Sequence, residues 1–184
     1  DIEALLLDPR PAAEFLPLLP DLIGRDLSPA SLEDPLDRTA WRHRRAPATG
    51  VNLDPPAVKT PDGELACDAV LIAAGARTDF HGQDHLVPDA YTMDTIADAM
   101  KIRAAAERED VRTYVVCGGG YTGVETATHL RRRLNALGRS ARIVMVDLLD
   151  RLCGTVPSPE GGLLLGDQTF QDYVEWNVAS MDIE

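Results

Sequence analysis

The stretch Thr113 to Thr126, TYVVCGGGYTGVET, decides how this chain is read. Strand-prone residues Tyr114 to Cys117 run straight into Gly118-Gly119-Gly120-Tyr121-Thr122-Gly123, and a helix-like pattern follows. This is G-x-G-x-x-G between a strand and a helix, the setting in which the motif implies a seat for the pyrophosphate of a dinucleotide. Gly118 permits the tight turn, Gly120 lets backbone approach phosphate with no Cβ in the way, and Gly123 lets the helix pack close to the strand. The unpaired N–H groups and partial positive charge at the helix start complete an anion site. Tyr121 and Thr122 belong to the same loop and count as cofactor-binding candidates, as does Gly119.

The next element supports the reading. A helix over about Thr122 to Leu137 is expected to stop at Gly138, a residue suited to the left-handed turn that ends helices. A short link then leads to Arg142-Ile143-Val144-Met145-Val146-Asp147, an apolar run closed by an acid. Asp147 lies 24 positions after Gly123, about where a carboxylate hydrogen-bonds the adenosine ribose hydroxyls. An Asp there repels a 2′-phosphate and no Arg follows at once, which favours NAD(H) over NADP(H). Arg151 remains within reach as the exception.

Composition bounds the remaining possibilities. A 184-residue chain that is 45% hydrophobic can bury a real core in one or two small domains. A net charge of −12 argues against nucleic acid and against attraction to an anionic membrane surface. The apolar runs are strand-sized, so neither a transmembrane helix nor a signal peptide is expected. Cys67, Cys117 and Cys153 are odd in number and far apart, which reads as reduced core thiols in a cytoplasmic protein. No metal-ligand spacing stands out; His81 and His85 are four apart, but Gly82 breaks any helix that would align them.

Working outward, strands and helices alternate, which predicts an α/β fold of Rossmann-type dinucleotide-binding domains around a parallel sheet. Ile2 to Leu7 reads as a buried parallel strand ending in Asp8. Residues 9 to 40 hold six prolines and room for one or two helical turns. Ala57 to Cys67, turning at Asp62-Gly63, predicts a hairpin in a small antiparallel insertion. Val70-Leu71-Ile72-Ala73-Ala74-Gly75 reads as another buried strand. Asp94 is the expected cap of a helix with Ile96, Ala97, Met100 and Ala104 on one face. The domain boundary falls near residues 90 to 110, dividing the chain into 1–95 and 96–184. Pro157 to Gly166 reads as a loop, and Phe170 to Val178 as a last helix.

With these motifs in place the chain resembles the type II NADH dehydrogenases, NADH:quinone oxidoreductases of the two-dinucleotide-binding flavoprotein superfamily. The resemblance rests on Asp8-Pro9-Arg10-Pro11, Glu14 to Leu19, Leu27-Ser28-Pro29, Pro35-Leu36, Val70 to Ala76, Ala90-Tyr91-Thr92, Ala99 to Arg103 and Gly118 to Glu125, in order and spacing, and it covers residues 1 to about 151. It implies a partial FAD-binding domain over 1–95 and a C-terminally incomplete NAD(H)-binding domain over 96–184, FAD and NAD(H) as cofactors, hydride transfer from NADH to flavin, and a quinone-type acceptor. It implies that Asp8 and Arg10 lie at the FAD ribose, Ala48 by the adenine, Ala73, Ala74 and Gly75 against the flavin, and Leu16-Pro17-Leu18 along the isoalloxazine. Glu125 would face the nicotinamide–flavin stack as the catalytic candidate; its bland alternative is to complement the helix dipole. The resemblance allows a homodimer and a peripheral position at the inner face of the plasma membrane, with membrane contact only through segments absent from this chain.

The departures are specific. Ala74 replaces the family's usual Thr, and Ala12-Ala13 stands where an aromatic-histidine pair is usual. The first G-x-G-x-x-G, a second flavin segment and an amphipathic anchor are not in the chain, which therefore reads as a fragment. Two other functions stay open: another reductase of the superfamily, such as a ferredoxin or sulfide:quinone reductase relative, and a non-catalytic NAD(H)-binding or interaction module. Arg131-Arg132-Arg133 reads as a solvated helix face.

Overall fold

In the computed structural model of the chain, residues 2–38, 41–154 and 169–184 are described. The chain forms two compact units, Asp1–Phe15 with Leu32–Arg77, and Leu16–Ser31 with Thr78–Glu184. The loop expected over Pro157 to Gly166 lies outside the described residues.

The first unit is built from short strands. β1 (Leu5–Leu7), β2 (Ala12–Glu14), β3 (Glu33–Pro35) and β4 (Arg42–Arg44) pair as β1 with β4 in parallel and β2 with β3 in antiparallel. β5 (Gly50–Leu53), β6 (Pro56–Thr60) and β7 (Gly63–Ala66) form a separate antiparallel sheet in chain order, the insertion expected from the hairpin signal. Thr60 pairs with Gly63, so the turn residues are Pro61 and Asp62, one position earlier than the sequence suggested. Proline presets φ at the first turn position, and the positive φ of 130° falls on Gly63 instead.

Two expectations for this unit are corrected. Ile2 lies before β1 and is 97% exposed, and only residues 5–7 pair. Val70 to Gly75 forms no strand, and Leu71 and Ile72 are 92% and 66% exposed. Hydrophobic run length reports what a strand would bury, whereas a parallel strand exists only through its ladder. Among the described residues neither stretch has neighbours on both sides.

The second unit carries the helices α1 (Leu19–Gly24), α2 (Ile96–Glu107), α3 (Tyr121–Ala136) and α4 (Phe170–Ser180), with strands β8 (Thr113–Cys117) and β9 (Arg142–Val146). β8 and β9 are parallel, with Thr113 opposite Arg142 and Cys117 opposite Val146, and α3 is their crossover. After α4, Glu184 donates its N–H to Ile143 O at 2.9 Å and accepts from Met145 N–H at 2.6 Å on the free edge of β9. The backbone thus follows the order third–second–first of a Rossmann half.

The core lies between α1, α2, α3 and β9. Leu22, Ile23, Ala99, Ala106, Leu134 and Ile143 are fully buried there. α3 ends as expected: Leu137 is its C-cap, Gly138 takes φ 66°, and Arg139 N–H returns to Leu134 O while Gly138 N–H returns to Asn135 O. The cap of α2 is corrected. Thr95 accepts from Asp98 N–H at 3.2 Å, while the Asp94 carboxylate accepts from the backbone and hydroxyl of Thr78. Thr95 has an acid three residues on and so makes the better box. The buried face of α2 is Ile96, Ala99, Ile102, Ala105 and Ala106; Ala97 and Ala104 are exposed. Alanine on every side leaves periodicity too little contrast to choose the face.

The arginine run is not a solvated face. Arg131 is 4% exposed and donates to Ala141 O at 3.0 Å and Asp182 O at 2.6 Å. Arg133 pairs with Asp26 and Glu107. Only Arg132 is exposed. The cysteines also split: Cys67 and Cys117 are exposed and only Cys153 is buried, all three free.

Candidate dinucleotide site

The glycine loop sits at the carboxyl end of β8. Gly118 takes φ 107°, where a side chain is strained, and its N–H donates to Val146 O at 2.8 Å, extending the ladder one step. An added Cβ on Gly123 would lie 1.9 Å from Gly118 O, so the helix passes directly against the turn. A Cβ on Gly120 would meet no atom of the described residues within 4 Å: the space over it is open, as a seat for phosphate requires. Gly120 is also the N-cap of α3, with no side chain to cap it and no acid in the first turn. By contrast α2 and α4 are capped by Thr95 and Thr169. Uncapped N–H groups and the macrodipole favour an anion at this end. Tyr121 and Thr122, the first residues of α3, are exposed beside it, and the Tyr121 ring packs on Phe170 at 5.8 Å.

Asp147 closes β9 and turns its carboxylate back to the loop. It accepts from Gly119 N–H through Oδ2, a short contact, and from Leu149 N–H at 2.7 Å through Oδ1. These bonds, that from Gly119 first, lower its pKa and hold it anionic. Each oxygen keeps a lone pair for a ribose hydroxyl. A cleft of about 460 Å³ beside it is lined in part by Asp147, Leu149, Asp150, Arg151, Leu152 and Glu175. Arg151 does not reach toward Asp147. Its Nε and Nη2 donate to Glu175 at 3.1 and 3.0 Å, and Nη2 also pairs with Asp172, which raises its pKa.

The loop is held from behind by residues that sequence reasoning missed. Cys153 N–H donates to Gly119 O at 2.7 Å, and Leu152 Cδ2 would lie 2.9 Å from a Cβ on Gly119. Cys153 is buried at φ 54°, and burial, then the Glu125 charge, pushes its thiol pKa up, away from a thiolate role. No spacing rule announces such a backing residue. The sole sequence trace was an apolar Leu152-Cys153 soon after the acid.

Glu125 is the fifth residue of α3, not part of its first turn, so the dipole-complementing role is corrected. Burial, then the neighbouring charge of Asp21, raises its pKa. Asp21 also lies 4.0 Å from Nε2 of His129, one turn along α3 from Glu125. Pro17 is exposed in the short 3-10 turn Leu16–Leu18 that runs into α1.

In the first unit, Asp8 follows β1 and is clasped by Arg10, whose N–H, Nε and Nη2 donate to it at 2.8, 3.1 and 2.9 Å. The Arg10 side chain is the main cause of the lowered Asp8 pKa. His43 Nε2 lies 3.1 Å from Asp8 O, and Arg45 Nε donates to Pro9 O at 3.0 Å, so β4 and its continuation support the acid. Ala48, Ala73, Ala74 and Gly75 are exposed, the last at φ 76°.

A profile of the pyridine nucleotide-disulphide oxidoreductases matches residues 39–170. The chain belongs to that family. Among curated relatives, demethylphylloquinone reductase NdbB of Synechocystis sp. is 30% identical over 152 residues, 74% of this chain and 37% of that protein. Type II NADH:quinone oxidoreductase NdhA of Mycobacterium tuberculosis is 38% identical over 74 residues, 33% of this chain and 16% of its own length. The chain therefore spans well under half the length of the curated relatives it matches. Among solved structures, NDH2 from Plasmodium falciparum in complex with NADH superposes with a TM-score of 0.76 at 21% identity, over 99% of this chain and 42% of that one. The resemblance to type II NADH dehydrogenases and the Rossmann-type α/β fold are both borne out. No helix among the described residues is long and apolar enough to cross a membrane.

Proposed function

We propose that this chain carries the NAD(H)-binding site and part of the FAD-binding site of an NADH dehydrogenase-like flavoenzyme that passes electrons from NADH to a quinone-type acceptor. The observation that carries it is the pairing of an open, uncapped glycine loop at Gly118–Gly123 with a carboxylate, Asp147, fixed at the end of the adjoining parallel strand. The two curated relatives, named as a quinone reductase and an NADH:quinone oxidoreductase, supply the acceptor class.

Each residue has a physical task in this reading. N–H groups at the start of α3 hold the pyrophosphate, and the missing Cβ of Gly120 lets it approach. Asp147 accepts from the ribose hydroxyls and, being anionic, disfavours a 2′-phosphate. In the first unit Asp8, oriented by Arg10, is the corresponding ribose acceptor for FAD, with Ala48 at the adenine. Ala73, Ala74 and Gly75 offer backbone close to flavin because they lack bulk. Flavin, when bound, supplies the hydride-accepting chemistry, so the sum reaction is NADH, a proton and a quinone giving NAD⁺ and a quinol. Glu125 is assigned to the nicotinamide side, where its carboxyl, with a pKa raised by burial and then by the charge of Asp21, can accept from the ring amide. A homodimer and a peripheral place at the inner face of the plasma membrane belong to the same proposal.

Flavin absorption and NADH titration test it. A yellow protein that binds NADH and reduces a water-soluble quinone agrees with the reading. NADH binding with neither flavin retention nor reduction, in a protein containing both dinucleotide sites, leaves the non-catalytic NAD(H)-binding module instead.

A further inference from the structure

Arg151 stands in the same cleft as Asp147, four residues after it, where an arginine in an NADP-binding Rossmann site takes the 2′-phosphate. Resting on the proposed NAD(H) site, we propose that Glu175 and Asp172 of α4 lock Arg151 out of that role, making them positioning residues for the choice of NADH over NADPH.

The geometry is two-sided. Glu175 takes Nε and Nη2 of Arg151 through its two oxygens, at 3.1 and 3.0 Å, the bidentate fork that an arginine would otherwise offer to a phosphate. Asp172 takes Nη2 as well, so both hydrogens of that nitrogen are engaged. Glu175 is itself steadied by Leu152 N–H at 3.2 Å. The side chains of Arg151, Asp172 and Glu175 are 43%, 41% and 37% exposed, so the cluster fills no core and sits at the cleft wall.

The charge balance points the same way. One guanidinium faces two carboxylates in the lock, and Asp147 and Asp150 line the same cleft. A 2′-phosphate entering there meets net negative charge, with the cation already committed. An unphosphorylated ribose needs only the Asp147 oxygens. Asp172 has a second task in the capping box of α4, whereas Glu175, in the middle of that helix, takes no part in the cap.

Calorimetric titration of the whole chain with NADH and NADPH, repeated with the fragments AMP and adenosine 2′,5′-bisphosphate, tests the lock. Glu175→Gln with Asp172→Asn, which keeps an oxygen for the cap, should tighten NADPH and the bisphosphate by about tenfold or more, one charge-assisted contact. NADH and AMP should stay within about twofold. Adding Arg151→Ala should erase the gain, a result that a purely structural role of α4 does not give. Glu175→Gln alone leaves the capping box whole and should shift NADPH in the same direction, so the test survives if the double variant fails to fold. NADPH affinity unchanged in these variants while NADH binds normally overturns the lock alone. Failure of the unaltered chain to bind NADH overturns the dinucleotide site, and the lock with it.

Discussion

Replacing Asp147 by Ala removes one carboxylate with two sets of partners. Within the protein it accepts from Gly119 and Leu149 N–H groups. Leu149 is exposed and water can take over there, but Gly119 is buried and its N–H loses its acceptor, so the folding loss should be about 1–3 kcal/mol. Toward NADH there is a separate loss. The ribose hydroxyls give up hydrogen bonds to a charged acceptor, about 1–3 kcal/mol, or about 5- to 150-fold in Kd. NADPH never had these bonds in full and is relieved of a repulsion, so it should weaken less or not at all. Isothermal calorimetry with both nucleotides on native and Asp147→Ala protein gives the two ratios. The native ratio should favour NADH and the variant ratio should fall toward one. Equal binding of both nucleotides by the native protein, or an unaltered ratio in the variant, refutes the assignment of Asp147.

Three further outcomes are expected. Gly123→Ala places a Cβ 1.9 Å from Gly118 O, so backbone must move and both stability and NADH affinity should fall; a denaturation midpoint equal to native contradicts the close approach. Arg131→Met leaves Ala141 O and Asp182 O without their donor and should cost about 1–3 kcal/mol in urea denaturation, with no change in the NADH:NADPH ratio. Burial is the main cause that lowers the His129 pKa, so the unfolded chain takes up that proton first; stability is whole above about pH 6.5 and declines as pH falls below it. His129→Gln should flatten that decline, and an unchanged slope refutes it.

Much of the second unit could be read from residues because its signals are local. Gly118, Gly123 and Gly138 are each demanded by a turn or a contact within a few residues, and Asp147 ends a strand whose register follows from its own run. What depended on distant partners was not legible. Val70 to Gly75 has the composition of a buried strand, yet pairing decides strandhood and no ladder reaches it among the described residues. Asp94 and Thr95 are both good caps, and the choice was made by Asp98 and Thr78. Arg131 looks like surface in sequence because nothing nearby announces Ala141 O and Asp182 O. In the site, the backing by Leu152 and Cys153 and the capture of Arg151 by α4 arise from chain returning after a long excursion. Periodicity carries no trace of either.

The seat proposed for the pyrophosphate is the backbone of Gly120, and one titration tests it. Among the described residues no atom comes within 4 Å of a Cβ at that position, so Gly120→Val should fold as the native protein does. Its side chain then occupies the seat of the pyrophosphate, and calorimetry with NADH should show binding abolished while circular dichroism and the denaturation midpoint stay native. Unchanged NADH affinity in a folded Gly120→Val protein would mean that the loop is only a turn and that the dinucleotide binds elsewhere.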